Sequence, residues 1–195
     1  MVAETTPTIL IVPGLRGHVA DHWQTLLAAD LPKSVTVPRM ENNHSCADWV
    51  AALDRTIAAI EGPIVIVAHS AGVMMVAHWA AKHRRPIEGA LLAAPPDLEL
   101  PPPEGYPSLA QLRANGWLPI PSQPLPFTSI VAASTNDPLA RFDRVAMLAQ
   151  AWGSRLVDVG AVGHLNPAAG YGEWRRARQF IAELVELPDN RTGPA

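Results

Sequence analysis

The chain has 195 residues, 48% of them hydrophobic and 17% charged, which is enough apolar material for one packed core and excludes a natively disordered chain. The 15 Lys and Arg residues against 18 Asp and Glu leave a formal net charge of -3, and phosphate binding needs a basic footprint, so nucleic acid is not an expected partner. Cys46 is the single cysteine, which excludes an internal disulfide and a Cys-rich zinc site.

Residues 1–7 read as a flexible N-terminus. Thr8 to Val12 (TILIV) is a short β-branched run closed by Pro13-Gly14 and reads as a buried strand. Asp21 to Asp30 places Trp23, Leu26 and Leu27 at helical spacing before Pro32. Val35 to Val37 is a second short strand. Ser45 followed by Asp48 resembles a capping box, and the helix it opens carries Trp49, Leu53, Ile57 and Ile60 before Gly62-Pro63. Ile64 to Ala68 (IVIVA) is the strongest strand, and a helix follows from Ala71 to His83. Ala90 to Ala94 is a strand. The stretch 95–126 holds ten of the 20 prolines and reads as loop, with one helical turn near Leu109 to Arg113. Ser129 to Ala133 and Arg155 to Val159 are strands flanking a helix from Asp143 to Trp152. Glu173 to Glu186 closes the chain as a helix with Trp174, Ala177, Phe180, Ile181 and Leu184 on one face. Residues 188–195 read as a frayed tail.

Alternating helices and continuous apolar strands predict one three-layer α/β/α domain over 8–187, built on a parallel sheet covered on both faces by helices. Ligands in such sheets sit beyond the carboxyl ends of the strands, so the residues after each strand are the ones that bear chemistry. After IVIVA comes Ala68-His69-Ser70-Ala71-Gly72, a nucleophile-elbow pattern with Ala68 in place of the usual first glycine. A strand that turns sharply into a helix exposes the Ser70 hydroxyl, and the residues two away on either side must be small because they approach one another.

A serine nucleophile needs a base and an orienting carboxylate. His164 follows the last strand on a Gly-rich loop, and Asp137 follows the strand before it. The order Ser70, Asp137, His164 is that of an α/β-hydrolase. Asp143 at a helix start and Asp158 inside a strand are weaker candidates for the acid. The first strand runs into Pro13-Gly14-Leu15-Arg16-Gly17, which makes the Leu15 N–H the expected second oxyanion donor beside that of Ala71. No Walker or GxGxxG pattern accompanies this turn, so nucleotide binding is not expected.

These residues resemble the family of small serine hydrolases that includes YdeN and an animal retinoblastoma-binding protein. The resemblance rests on Val12 to Gly14, His22-Trp23, AHSAG at 68–72, STNDP at 134–138 and GHLNPAAGYGEW at 163–174, which together span nearly the whole chain. It implies a Ser70–Asp137–His164 triad, a doubly wound six-stranded parallel sheet in the order 2-1-3-4-5-6 that lacks the first two strands of larger relatives, and no lid domain. The animal relative's partner is bound through LxCxE. That motif is missing from this sequence, so the binding role does not carry over.

The expected function is hydrolysis of a small carboxylic ester, or less readily an amide, through an acyl-enzyme and without a cofactor. The alternatives are a non-catalytic binding or regulatory protein on a hydrolase fold, and an acyltransferase using the same triad. Serine at the elbow disfavours dehalogenase and epoxide hydrolase chemistry. His22 is expected at the mouth of the site and Trp117 along a substrate cleft whose wall is the Pro-rich stretch. His18 and His22 are four apart but have no third ligand nearby, so no metal site is expected. His69 reads as structural, and His78 and His83 as the surface or rim of the helix after Ser70. Cys46 lies in a first helical turn, where a helix terminus would lower its pKa, but it is a nucleophile only with a base beside it and, next to a complete serine triad, reads as an incidental thiol. Lys33 and Lys82 are the only lysines and no apolar run is long enough to span a bilayer, so no membrane partner is expected and the compartment reads as cytoplasmic. Oligomeric state is not legible.

Overall fold

A computed structural model describes residues 6–38, 40 and 44–186. The expected tail at 188–195 and residues 1–5 of the N-terminal segment lie outside the described residues. Six strands alternate with helices. The strands are β1 (Thr8–Val12), β2 (Ser34–Thr36), β3 (Ile64–His69), β4 (Gly89–Ala93), β5 (Ser129–Ala133) and β6 (Arg155–Asp158). The helices are α1 (Trp23–Asp30), α2 (Cys46–Ala58), α3 (Ala71–Ala80), α4 (Leu109–Ala114), α5 (Phe142–Trp152) and α6 (Arg176–Glu186). All strand pairs are parallel, in the order β2-β1-β3-β4-β5-β6. Among the described residues no helix is long and apolar enough to cross a membrane.

Side chains alternate across the sheet. Leu10, Ile64, Ile66, Leu92 and Val131 join Leu53, Ile57, Met74, Trp79 and Trp152 in one core layer against α2, α3 and α5. Ile9, Ile11, Val65, Val67, Leu91 and Ile130 join Trp23, Leu27, Phe180 and Leu184 in the other, against α1 and α6. Both faces are covered, which is why the central strands read as unbroken apolar runs. At Gly89 an added Cβ would lie 2.9 Å from the Leu184 side chain, so this glycine lets α6 settle directly on β4.

Two helix ends and the place of one histidine depart most from their sequence reading. The last helix begins at Arg176 rather than Glu173, because Trp174 is buried from an irregular segment, edge-on to Trp23 at 4.8 Å. The helix after Ser70 ends at Ala80, and His83 beyond it stacks on Trp79 at 5.7 Å and pairs with Asp54 at 2.9 Å. His78 is buried rather than at the surface or rim. The Pro-rich segment crosses over α3 and supplies the Trp117 carbonyl, to which His78 Nε2–H donates at 3.1 Å.

Strand order reverses between β1 and β3. From β1 the chain leaves to one side through α1 and β2, then returns through α2 to β3 on the other side. Such a reversal leaves a crevice beyond the carboxyl ends of the two strands. Ser70 follows β3 and Leu15 follows β1, so both face that crevice.

Candidate active site

β3 ends at His69, α3 begins at Ala71, and Ser70 between them has φ 55° and ψ -126°. That region costs a residue with a Cβ on the order of 1–3 kcal/mol and persists only where the surroundings impose it. The surroundings here are backbone. A Cβ on Gly72 would lie 2.6 Å from the Pro13 carbonyl oxygen and closer still to that of Val12, while one on Gly14 would lie 3.0 Å from the Ser70 Cβ. Glycine at both positions lets the loop after β1 pass directly against the elbow.

His164 Nε2 lies 2.8 Å from Ser70 Oγ, and His164 Nδ1 lies 2.7 and 3.0 Å from the two Asp137 oxygens. A carboxylate on Nδ1 calls for Nδ1–H, which leaves the Nε2 lone pair facing the serine hydroxyl. Asp137 Oδ1 also accepts the Leu139 N–H at 2.8 Å. The Asp137 and His164 side chains are almost fully enclosed, at 2% and 6% exposure, so solvent competes little for these bonds. The three side chains named as Ser70, Asp137 and His164 from the sequence are thus brought into one hydrogen-bonded row from three strand exits.

Supporting contacts hold that row, and among their side chains the sequence reading gave only His69 a role, a structural one. The loops after β5 and β6 are laced together: Asn136 Oδ1 accepts the Gly163 N–H at 2.7 Å, Ser134 Oγ accepts the Val162 N–H at 3.2 Å, and the Thr135 N–H donates to the Gly160 carbonyl at 3.0 Å. His69 Nε2–H donates to the His164 carbonyl at 2.8 Å, fixing the backbone of the histidine loop to the elbow. His69 is held well below the ordinary imidazole range, chiefly by burial and then by repulsion from His164 and His22, so it sits there neutral. The only signal for Ser134 and Asn136 was their place in the STNDP segment.

Ala71 opens α3, so its N–H has no intrahelical acceptor. The Leu15 N–H, on the loop beside Ser70, makes no backbone hydrogen bond among the described residues. His22 is the N-cap of α1, its Nδ1 accepting the Gln24 N–H at 3.2 Å. Its ring lies 4.6 Å from that of His69. Burial, aided by His164 and opposed by Asp21, pushes its pKa down to about 4. His18 and His22 therefore do not share a helical face, and His22 is spent on a cap and the rim of the crevice. Trp117 is buried, edge-on to Trp49 at 5.4 Å, its Nε1–H donating to the His44 carbonyl at 2.7 Å. The competing acids are engaged elsewhere. Asp143 pairs with Arg141 through two bonds of 2.9 Å, and Asp158 Oδ1 accepts the Gly160 N–H at 2.7 Å. The Cys46 thiol departs from expectation in the direction of its pKa: burial pushes it up to about 11, outweighing the nearby Lys82 charge.

Two hollows meet at Ser70. One, of about 1080 Å³ open to solvent, runs under the Pro-rich segment between Trp49, Met74, Leu98 and Trp117. The other, of about 620 Å³, is bordered by His22, His69, His164 and Asn166.

A family model described as serine hydrolase matches residues 9–183. No curated protein matches the chain. Among solved structures, a YdeN-like hydrolase from Pectobacterium atrosepticum is 30% identical, with a TM-score of 0.78 over 92% of this chain and 90% of that one. The ydeN gene product of B. subtilis is 19% identical, with a TM-score of 0.72 over 93% of this chain and 100% of that one. Est1E from Butyrivibrio proteoclasticus, with ferulic acid bound, is 14% identical and shares the fold, with a TM-score of 0.69 over 95% of this chain and 92% of that one.

Proposed function

The chain belongs to the family of small YdeN-like serine hydrolases, and from that premise we propose that it cleaves carboxylic esters through an acyl-enzyme on Ser70. The observation that carries the reading is the unbroken row Asp137–His164–Ser70, with bonds of 2.7 and 2.8 Å.

Ser70 Oγ attacks the ester carbonyl while His164 Nε2 takes its proton. Asp137 holds the Nδ1–H tautomer and stabilises the imidazolium that forms. The oxyanion meets the N–H groups of Leu15 and Ala71, and losing one such donor costs about 10²–10³ in rate. His164 then returns the proton to the departing alkoxide. Water, activated by the same imidazole, cleaves the acyl-enzyme and releases the acid. No step calls for a cofactor. Esters are the favoured substrates because an alkoxide leaves more readily than an amide nitrogen, which must be protonated first.

The test is labelling with a fluorophosphonate, read by intact mass and peptide mapping. Stoichiometric modification at Ser70, absent in Ser70→Ala and slowed in His164→Ala, is the expected result. A folded protein that takes no label would overturn the reading and favour a binding role for the fold.

A further inference from the structure

Resting on the proposed hydrolysis at Ser70, we infer a substrate class from the two hollows: an ester of an apolar acid with a small, oxygen-rich alcohol.

The assignment of each hollow follows from His164. In the tetrahedral intermediate the oxyanion faces the Leu15 and Ala71 N–H groups, and the departing oxygen faces His164 Nε2, which must protonate it. His164 borders only the smaller hollow, whereas Ala71 borders only the larger. The alcohol half therefore lies in the smaller hollow and the acyl half in the larger. Leu15, Ser70 and Tyr106 line both, which places the scissile bond at their junction.

The two halves differ in the side chains that line them. The acyl side is walled by Trp49, Met74, Leu98, Leu112 and Trp117 and by the prolines at 101–103. Its one buried carboxylate besides Asp137, that of Asp97, is turned to Arg144 at 2.9 Å and to the Glu99 N–H at 3.0 Å. Gln111 and Asn115 also line it, with Gln111 Oε1 accepting the Ser108 N–H and Asn115 Nδ2 donating to the Gln111 carbonyl, both at 2.8 Å.

The alcohol side is rich in donors. His22 is 9% exposed. Its Nδ1 is occupied as an acceptor, and the ring is neutral because its pKa lies near 4. Nε2 therefore carries a hydrogen, and that hydrogen has no partner among the described residues. Asn166 has its Oδ1 committed to the Ala169 N–H at 2.9 Å, which leaves its amide N–H groups for a ligand. Arg16 adds exposed guanidinium donors at the rim. These donors open into the smaller hollow, and hydroxyl or carbonyl oxygens on the alcohol half would supply acceptors for them.

The reaction balances without a further reagent. The Ser70 Oγ–carbonyl carbon bond forms as the carbon–alkoxy bond breaks, and the serine proton passes through His164 Nε2 to the alcohol. Water then provides the hydroxyl of the acid and restores the Ser70 proton.

The experiment uses the purified chain in two ester series, with fluorophosphonate labelling of Ser70 run beside them. With p-nitrophenol as the fixed leaving group, kcat/KM is expected to rise from acetate through butanoate to hexanoate by about fourfold per methylene buried. With hexanoate fixed, the 2-hydroxyethyl ester is expected to exceed the isosteric propyl ester about fivefold, the worth of one neutral hydrogen bond. Leu98→Trp should lower the hexanoate-to-acetate ratio. His22→Phe should erase the 2-hydroxyethyl preference and His22→Gln restore part of it. These are ratios within one variant, so a general loss of activity does not imitate them. If either variant fails to fold, the wild-type series still decides. Labelling and hydrolysis with a flat chain-length profile, or with propyl preferred, would overturn the substrate class alone. Absence of both labelling and hydrolysis would overturn the hydrolase reading and this class with it.

Discussion

Ser70 offers a direct test of the elbow, because its backbone conformation and its hydroxyl can be removed separately. Ser70→Ala deletes the hydroxyl and its 2.8 Å bond to His164 but keeps a Cβ at φ 55°. Ser70→Gly deletes the same hydroxyl and also the Cβ. The difference between the two variants is therefore the strain itself. Relief of a residue in this region is worth on the order of 1–3 kcal/mol. Against it stand the extra unfolded-state freedom of glycine, about 0.5–1 kcal/mol, and the small loss of one buried carbon. Ser70→Gly should thus be about 0.5–2 kcal/mol more stable than Ser70→Ala. Urea unfolding at pH 7 reads this as a higher midpoint at equal m-value. In a chain of this size it corresponds to roughly 2–4 °C in Tm per kcal/mol. Both variants should be inactive. A Ser70→Gly protein no more stable than Ser70→Ala would mean that the turn is unstrained and that its geometry is not imposed by β1 and α3.

Gly72→Ala should destabilise the fold by about 2–3 kcal/mol or more and slow fluorophosphonate labelling. Its Cβ meets the Val12 and Pro13 carbonyl oxygens, and relief must shift the end of β1 that carries Leu15; a variant with wild-type midpoint and labelling rate would refute the close approach. Stability should also fall as pH drops below about 6.5. Burial is the main force holding His22, His69 and His78 below their ordinary pKa, so the unfolded chain takes up protons that the folded one refuses. Each adds about 1.4 kcal/mol per pH unit down to its folded pKa, somewhat less where solvent screens His78; urea midpoints that stay level from pH 7 to 5 would contradict this. Cys46, buried and raised to about 11, should react with iodoacetamide at pH 8 at least tenfold more slowly in the native protein than in urea, and comparable rates in the two states would show the thiol to be accessible.

Strand positions were legible because each central strand is buried on both faces, and an apolar run of about five residues between turn signals has few other uses. The positions of Ser70, Asp137 and His164 were legible for a related reason: a parallel sheet puts loop residues after each strand at one edge. What the sequence concealed was contact across long separations. His78 was misread because its acceptor, the Trp117 carbonyl, arrives from a Pro-rich segment with no periodicity of its own. The bond from His69 to the His164 carbonyl spans 95 residues and uses a backbone oxygen, which leaves no mark on residue identity. The direction of the Cys46 pKa shift was missed because helix position is visible in sequence and burial is not. The early helix start at Glu173 came from counting Trp174 as a helical face residue, when it is buried from irregular chain.

The reversal of strand order between β1 and β3 explains how the donors of the smaller hollow come to be fixed. Carbonyl groups at the carboxyl ends of diverging strands have no neighbour to pair with. Gln24, 3% exposed, answers two of them, its amide donating to the Val12 oxygen at 3.2 Å and the Val67 oxygen at 2.9 Å. The backbone N–H of the same residue is what His22 Nδ1 caps. One turn of α1 thus closes the crevice floor, starts its own helix and sets the tautomer of His22. His69, at the end of β3, then lies between His22 and His164, with rings 4.6 and 5.0 Å away. A proton on any one of the three would repel the others, so enclosure and mutual repulsion keep His22 and His69 neutral. The donors that face the alcohol half are therefore fixed by the same packing that holds the histidine loop, whereas the acyl side is shaped by the Pro-rich segment. Substitutions in that segment can alter the acyl preference without touching the Ser70–His164–Asp137 row.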